Sequence, residues 1–350
     1  MPSLAPSSFA LLTLLMASAA CSNNAEPPYQ EPLDAGVDSD TQDTDASIDI
    51  DAGDVIDLGY DAGWIDDPRQ MPRDIRRVAS DLEVARENNR VKIYLQPGST
   101  LTEEQIVDYF DTATAAVTFN LDEMDTPSEE IEPRVRVVVL DETTYAAVTG
   151  SNDTYGLSYI AFGSDGDAFV IPYNALEDRA EMDDTIAHEV NHILVSRRVL
   201  DDSSIPWWQV EGTAINMGSH FGWEVDHTWT GFLKRYVDPA TGADATLTFA
   251  RFDVEDMTAN NDELAHDQAV AGFFIEYLRF LHPHGGEMGY PDVHGRMLAV
   301  STEASRGADF DEAFAANFGG LSLADAKTAY AAYLQSTVTG STRYVGTIFE

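Results

Sequence analysis

The strongest constraint on the fold of this chain is a change of composition near residue 70. Residues 22–69 hold twelve Asp, two Glu and three DAG triplets, with no Lys or Arg before Arg69. Such a segment has too little apolar surface and too much like charge to fold on its own. We therefore expect residues 21–69 to form an Asp-rich disordered tether, and the globular domain to occupy residues 70–340. Calcium binding by the tether is the alternative, because its DIDAGD run resembles part of a carboxylate loop.

The charge of the whole chain excludes two classes of partner. Its 61 acidic and 20 basic residues give a formal net charge of −41. Binding to nucleic acid needs a basic face, and so does electrostatic docking on anionic lipid. We expect neither. With 44% apolar residues, however, the chain can bury a sizeable core.

The amino terminus has the features of an export signal. An apolar run at residues 9–16, too short to span a bilayer, is followed by small residues and then Cys21. The run Ser18-Ala19-Ala20-Cys21 resembles the cleavage box of bacterial lipoproteins. This resemblance implies a signal peptide at residues 1–20, a lipid on Cys21 and an outer-membrane location, with the membrane reached through the lipid anchor only. Cleavage after Ala19 and secretion are the alternative.

The pattern after residue 70 predicts a mixed fold. Residues 102–105 form a capping box, and β-branched runs alternate with polar turns in the first part of the domain. The predicted strands are 91–96, 134–140, 157–162 and 168–173, the last two forming a hairpin. The predicted helices are 102–117, 141–148, 181–197, 207–217, 262–282, 291–302, 309–317 and 322–335. We expect an α+β fold, with one small mixed sheet followed by a helical half.

One predicted helix carries an HExxH sequence, from His188 to His192. Residues i and i+4 lie one turn apart on the same helix face, so the two imidazoles can bind one metal ion. Glu189 lies beside them and is placed to take a proton from metal-bound water. Glu211 follows His192 after eighteen intervening residues, which allows a second, antiparallel helix to bring a third ligand. Two core histidines without a metal are the alternative interpretation.

The segment from Pro206 to Ala214, PWWQVEGTA, extends this pattern. Together with HExxH it resembles the gluzincin metallopeptidases, in particular their bacterial peptidase-MA-like branch. The resemblance implies a zincin-like fold with an edge hairpin and a helical half that carries the metal site. It also implies that His188, His192 and Glu211 bind Zn²⁺ and that Glu189 is the general base. Gluzincins need an oxyanion donor opposite the metal, and His266 is our candidate; a core histidine bonded to a carbonyl is the alternative.

The implied activity is zinc-dependent hydrolysis of peptide bonds, with a protein or peptide as substrate and an endopeptidase favoured. Two alternatives remain open. The chain can be an inactive zincin-fold lipoprotein that serves as a binding module, or a hydrolase of a non-peptide amide. We expect His220 and His227 to be exposed loop residues, and Trp207 and Trp208 to serve packing.

Overall fold

The computed structural model describes residue 75 and residues 82–126, 134–149, 156–159, 167–199, 204–222 and 270–340. The first part of the described chain contains β1 (Glu83–Glu87), β2 (Val91–Leu95), α1 (Glu103–Glu123), β3 (Val135–Leu140), α2 (Glu142–Thr149), β4 (Leu157–Tyr159) and β5 (Ala168–Pro172). A 3₁₀ turn (Tyr173–Glu177) then leads to α3 (Arg179–Ser196) and α4 (Trp207–Gly222). The last part contains α5 (270–276, ending in a π turn at Tyr277–Leu281), β6 (Pro283–His284), β7 (Glu287–Met288), α6 (Val293–Ser305), α7 (Phe310–Asn317) and α8 (Leu323–Gly340).

Five of the described strands form one mixed sheet in the order β1-β2-β3-β5-β4. Strands β2, β3 and β5 are parallel, whereas β1 and β4 run antiparallel to their neighbours at the two edges. Every residue of the central strand β3 is buried, as its continuous β-branched run predicts. The antiparallel pairing of β4 with β5 confirms the predicted hairpin, although residues 160–166 between them lie outside the described part.

Helices cover both faces of this sheet. On one face α1 and α3 bury the larger core, which includes Val137 and Val139 of β3 together with Ala113 and Ile186. On the other face α2 covers a smaller core around Tyr145. The alternation of β3 explains the division, because successive side chains of a strand point to opposite faces.

Helix α1 begins as predicted and runs further than predicted. The Thr102 side chain accepts a hydrogen bond from the backbone N–H of Gln105, and the Gln105 side chain accepts one from the backbone N–H of Thr102, which is a complete capping box. The helix continues to Glu123 rather than ending near 117, and Asp125 adopts a left-handed φ of 49° just beyond it. Asp tolerates this conformation better than most residues, so it can end a helix without glycine.

Helices α4 to α8 form the helical half around a third core. Its buried members include Trp208, Phe273, Phe274, Tyr277, Phe314 and Tyr330. Trp208 contacts the rings of Phe274 and Phe310, so it serves packing as expected. The described structure is therefore α+β, with a small mixed sheet followed by a helical half, as predicted. No described helix is long and apolar enough to cross a membrane.

Candidate metal centre

Helix α3 carries the HExxH sequence in its middle. It begins at Arg179, two residues earlier than predicted, because Asp178 caps it by accepting hydrogen bonds from the backbones of Ala180 and Glu181. The centre of the helix is enclosed between the sheet and α4, and Glu189 and His192 are buried there. The motif is therefore held in a long, capped and covered helix.

Helix α4 runs antiparallel to α3 and brings the third predicted ligand. Gly222 faces Ala180 near one end of the pair, and Glu211 faces the two histidines near the middle. A Cβ at position 222 would lie 2.7 Å from the Ala180 carbonyl oxygen, so glycine is needed for the two helices to approach this closely. Helices α3 and α4 thus have the antiparallel arrangement that the eighteen-residue spacing between His192 and Glu211 predicts.

The three predicted ligands converge on one point. His188 Nε2 lies 2.9 Å from His192 Nε2 and 3.7 Å from Glu211 Oε2, and His192 Nε2 lies 3.5 Å from Glu211 Oε1. One ligand atom from each side chain lies within 4.8 Å of the others, and among the described residues only this His/Cys/Asp/Glu group meets that condition. The side chain of Glu211 is 1% exposed, and that of His192 is fully buried.

The electrostatics of this group suit a cation. Burial lowers the pKa of His188 well below its usual value, and the neighbouring His192 lowers it further, so the imidazole is neutral at physiological pH. A neutral imidazole is the form that binds a metal. Two imidazoles beside one buried carboxylate form a donor set that can bind a divalent cation, and three protein ligands leave a coordination position open.

The buried carboxyl of Glu189 is the second feature that suits a metal site. Its side chain is buried, and neither carboxylate oxygen accepts a hydrogen bond of good geometry from the described residues. Burial raises the pKa of Glu189 to about 7, while His192 and Ser158 oppose the rise. A buried carboxyl without a well-formed hydrogen bond is costly, so its presence next to three potential ligands fits a metal site with an associated base.

Two asparagines that sequence reasoning did not single out brace the motif. Asn191 donates to Asn120 Oδ1 of α1 at 3.0 Å, and Asn120 donates to the Ala187 carbonyl of α3 at 3.1 Å. The Thr213 hydroxyl of α4, which donates to the Gln209 carbonyl at 2.8 Å, also lies 3.4 Å from Asn191 Oδ1. These contacts join α1 and α4 to α3 beside His192. The sequence signal that could have revealed them is Asn191, a polar residue on the buried face of the HExxH helix.

A further buried polar network joins α4, α5 and α6. Glu276 is fully buried and accepts hydrogen bonds from His220 Nε2 at 2.7 Å and from Asn216 Nδ2 at 3.0 Å. His294 donates to Asn216 Oδ1 at 2.9 Å. The expectation that His220 is an exposed loop residue is wrong: it lies on α4, and 12% of its side chain is exposed. Its carboxylate partner is 56 residues away in sequence, which no local pattern reveals.

Several predicted residues lie outside the described part of the chain. These are Cys21 with the export signal, the tether, His227, and the candidate oxyanion donor His266. The structure therefore brings together His188, Glu189, His192 and Glu211, while the role of His266 stays a prediction.

Comparison with known proteins adds no family to this geometry. Neither a scan against protein-family models nor a search of curated proteins gives a match for the chain.

Proposed function

We propose that this protein is a zinc-dependent hydrolase of peptide bonds with a gluzincin-like arrangement. The observation that carries the proposal is the convergence of His188, His192 and Glu211 on one buried point, with the buried carboxylate of Glu189 beside it. Zinc is favoured because two imidazole nitrogens and one carboxylate, with one position left open, are a frequent donor set of catalytic zinc.

Each residue has a distinct part in the proposed reaction. Zinc, when bound, activates water and polarises the carbonyl of the scissile bond. Glu189 accepts a proton from the attacking water as its oxygen adds to the carbonyl carbon. Glu189 then delivers that proton to the amide nitrogen, which leaves as an amine when the C–N bond breaks. His266 is the candidate donor to the developing oxyanion.

An extended peptide is the proposed substrate because of the position of β4. This strand forms the edge of the five-stranded sheet, and Ser158 within it contacts the Glu189 backbone. An edge strand can bind an extended chain through backbone hydrogen bonds. A small non-peptide amide would not use this edge. If the protein cleaved such compounds and no peptides, the alternative of a non-peptide amide hydrolase would be favoured.

The alternative of an inactive binding module is supported less well. A scaffold that only binds a metal needs His188, His192 and Glu211, but it has no use for a buried carboxyl at position 189. Burying a carboxyl there costs stability, and a role as the base in a reaction explains its presence better than a scaffold does. A surface location through a lipid on Cys21 is compatible with either function and remains part of the proposal.

The test combines metal analysis with a peptide digest. The purified protein should contain about one zinc per chain and should cleave members of a mixed peptide library. Glu189→Gln should keep the zinc and lose about a hundred- to ten-thousandfold in turnover, since it keeps the shape and removes the base. Glu181→Gln, the same change on the same helix away from the site, is the matched control and should cleave normally. Equal cleavage by all three proteins would refute the proposal.

A further inference from the structure

The residue that precedes strand β4 lies very close to Glu189, the proposed base. A Cβ placed at Gly156, just before β4, would lie 3.1 Å from Glu189 Cγ and 3.3 Å from Glu189 Oε1. It would also lie 2.5 Å from Thr185 Cγ2, one turn earlier on α3. Any side chain at position 156 must therefore displace Thr185, Glu189 or the strand itself.

A hydrogen bond fixes the same strand to the same turn of α3. The Ser158 hydroxyl donates to the backbone carbonyl oxygen of Glu189 at 3.0 Å, and Ser158 is 8% exposed. Within the helix this carbonyl also accepts the Ile193 N–H, so Ser158 adds a second donor without breaking the helical ladder. The bond sets the distance between β4 and the residue that carries the base.

The sheet makes β4 a firm reference for this contact. Ser158 is paired with Phe169 of β5, whose residues are all buried. Asp167, just before β5, makes a bidentate ion pair with Arg197, with N–O distances of 2.6 Å and 2.8 Å. Arg197 directly follows α3. The hairpin is thus connected to α3 near the middle of the helix and again at its C-terminal end.

From these contacts we infer that Gly156 and Ser158 are positioning residues for Glu189. Gly156 leaves the space in which the carboxylate side chain lies, and Ser158 holds the backbone of that residue at a set distance from the sheet edge. The inference rests on the proposed function in that the positioned carboxylate is the proposed base. Close packing against Thr185 alone is the competing explanation.

A compensating pair of variants separates the two explanations. Gly156→Ala should lower kcat about ten- to a hundredfold with KM and zinc affinity unchanged, because a displacement of the base by a fraction of an ångström to one ångström has effects of this size. Thr185→Ser removes Cγ2 and so relieves the 2.5 Å contact, but it leaves both contacts with Glu189. The double variant should therefore remain impaired; recovery to the wild-type kcat would overturn the inference.

The Ser158 bond has a control on the same helix. Ser196 also donates a hydroxyl hydrogen bond to a carbonyl of α3, that of Ile193, at 2.8 Å. Ser158→Ala should lower kcat about tenfold, whereas Ser196→Ala should not change it. Ser158→Thr, which keeps the hydroxyl, should recover part of the loss. An equal effect of the two alanine changes would show that the bond serves stability only.

A crystal structure of the metal-free Gly156→Ala/Thr185→Ser protein decides the question without any activity. We expect the Glu189 carboxylate to be displaced relative to the wild type while the backbone of β4 keeps its place. An unmoved Glu189, with β4 shifted away from it, would overturn the inference. If Glu189 is displaced but the wild-type protein cleaves no peptide, the positioning stands and the proposed function fails.

Discussion

The two buried asparagines beside the metal centre allow a quantitative prediction. Replacing Asn191 by Leu leaves Asn120 Oδ1 buried without its donor, while the Asn120 amide keeps its bonds to the Ala116 and Ala187 carbonyls. Replacing Asn120 by Leu strands the Asn191 amide in the same way. One buried polar group left without a partner costs about 1–3 kcal/mol, so each single change should lower the free energy of unfolding by about 2 kcal/mol.

The double variant should cost less than the sum of the single changes. With both amides replaced by leucine, neither partner is left unsatisfied, and Thr213 keeps its bond to the Gln209 carbonyl at 2.8 Å. We expect a coupling free energy of about 1–2 kcal/mol in urea unfolding of the metal-free protein. The control is Asn317→Leu, the same change at a partly buried asparagine. Costs that add to within about 0.5 kcal/mol would show that the two side chains do not act as a pair.

Three further predictions concern the metal, the pH dependence and the anchor. His188→Ala should weaken zinc binding, measured by competition with a chelating dye. The loss should exceed the roughly 10–100-fold that removal of a residue hydrogen-bonded to a metal ligand costs. Equal affinity of the variant and the wild type would show that His188 is not a ligand. Burial, with Asp178 nearby, raises the pKa of Glu181 to about 7, so its ionisation in the folded protein costs stability as pH rises from about 4.5 to above 7. Glu181→Gln should therefore raise the unfolding midpoint at pH 8 and change it little at pH 4, and a shift of the same size at both would contradict this. Cys21→Ala should move the protein from the membrane fraction to soluble fractions, and persisting membrane association would exclude a lipid on Cys21 as the anchor.

Local sequence signals account for much of the fold. The β-branched run at residues 134–140 predicts β3, and Asp309 caps α7 by accepting the backbone N–H groups of Asp311 and Glu312. Strand β1 was missed because its sequence, EVARE, is polar and mostly exposed. An edge strand with both faces partly in water has no apolar alternation to detect, and its pairing with β2 decides its conformation.

For the candidate site, too, the sequence predicts some features and not others. Helical spacing predicts that His188 and His192 share one face, and the length of the connection allows Glu211 to return to them. The contacts of Gly156 with Glu189 depend instead on how a sheet edge packs on a helix. A glycine in a polar loop has no signal that distinguishes such a close approach from an ordinary turn.

The most direct test of the metal centre is anomalous diffraction at the zinc absorption edge from crystals of the zinc-loaded protein. If these three residues bind the metal, one peak should lie about 2.0–2.2 Å from His188 Nε2, from His192 Nε2 and from a carboxylate oxygen of Glu211. A peak elsewhere, or none at this point in a protein shown to be folded, would contradict the assignment of these three residues as ligands.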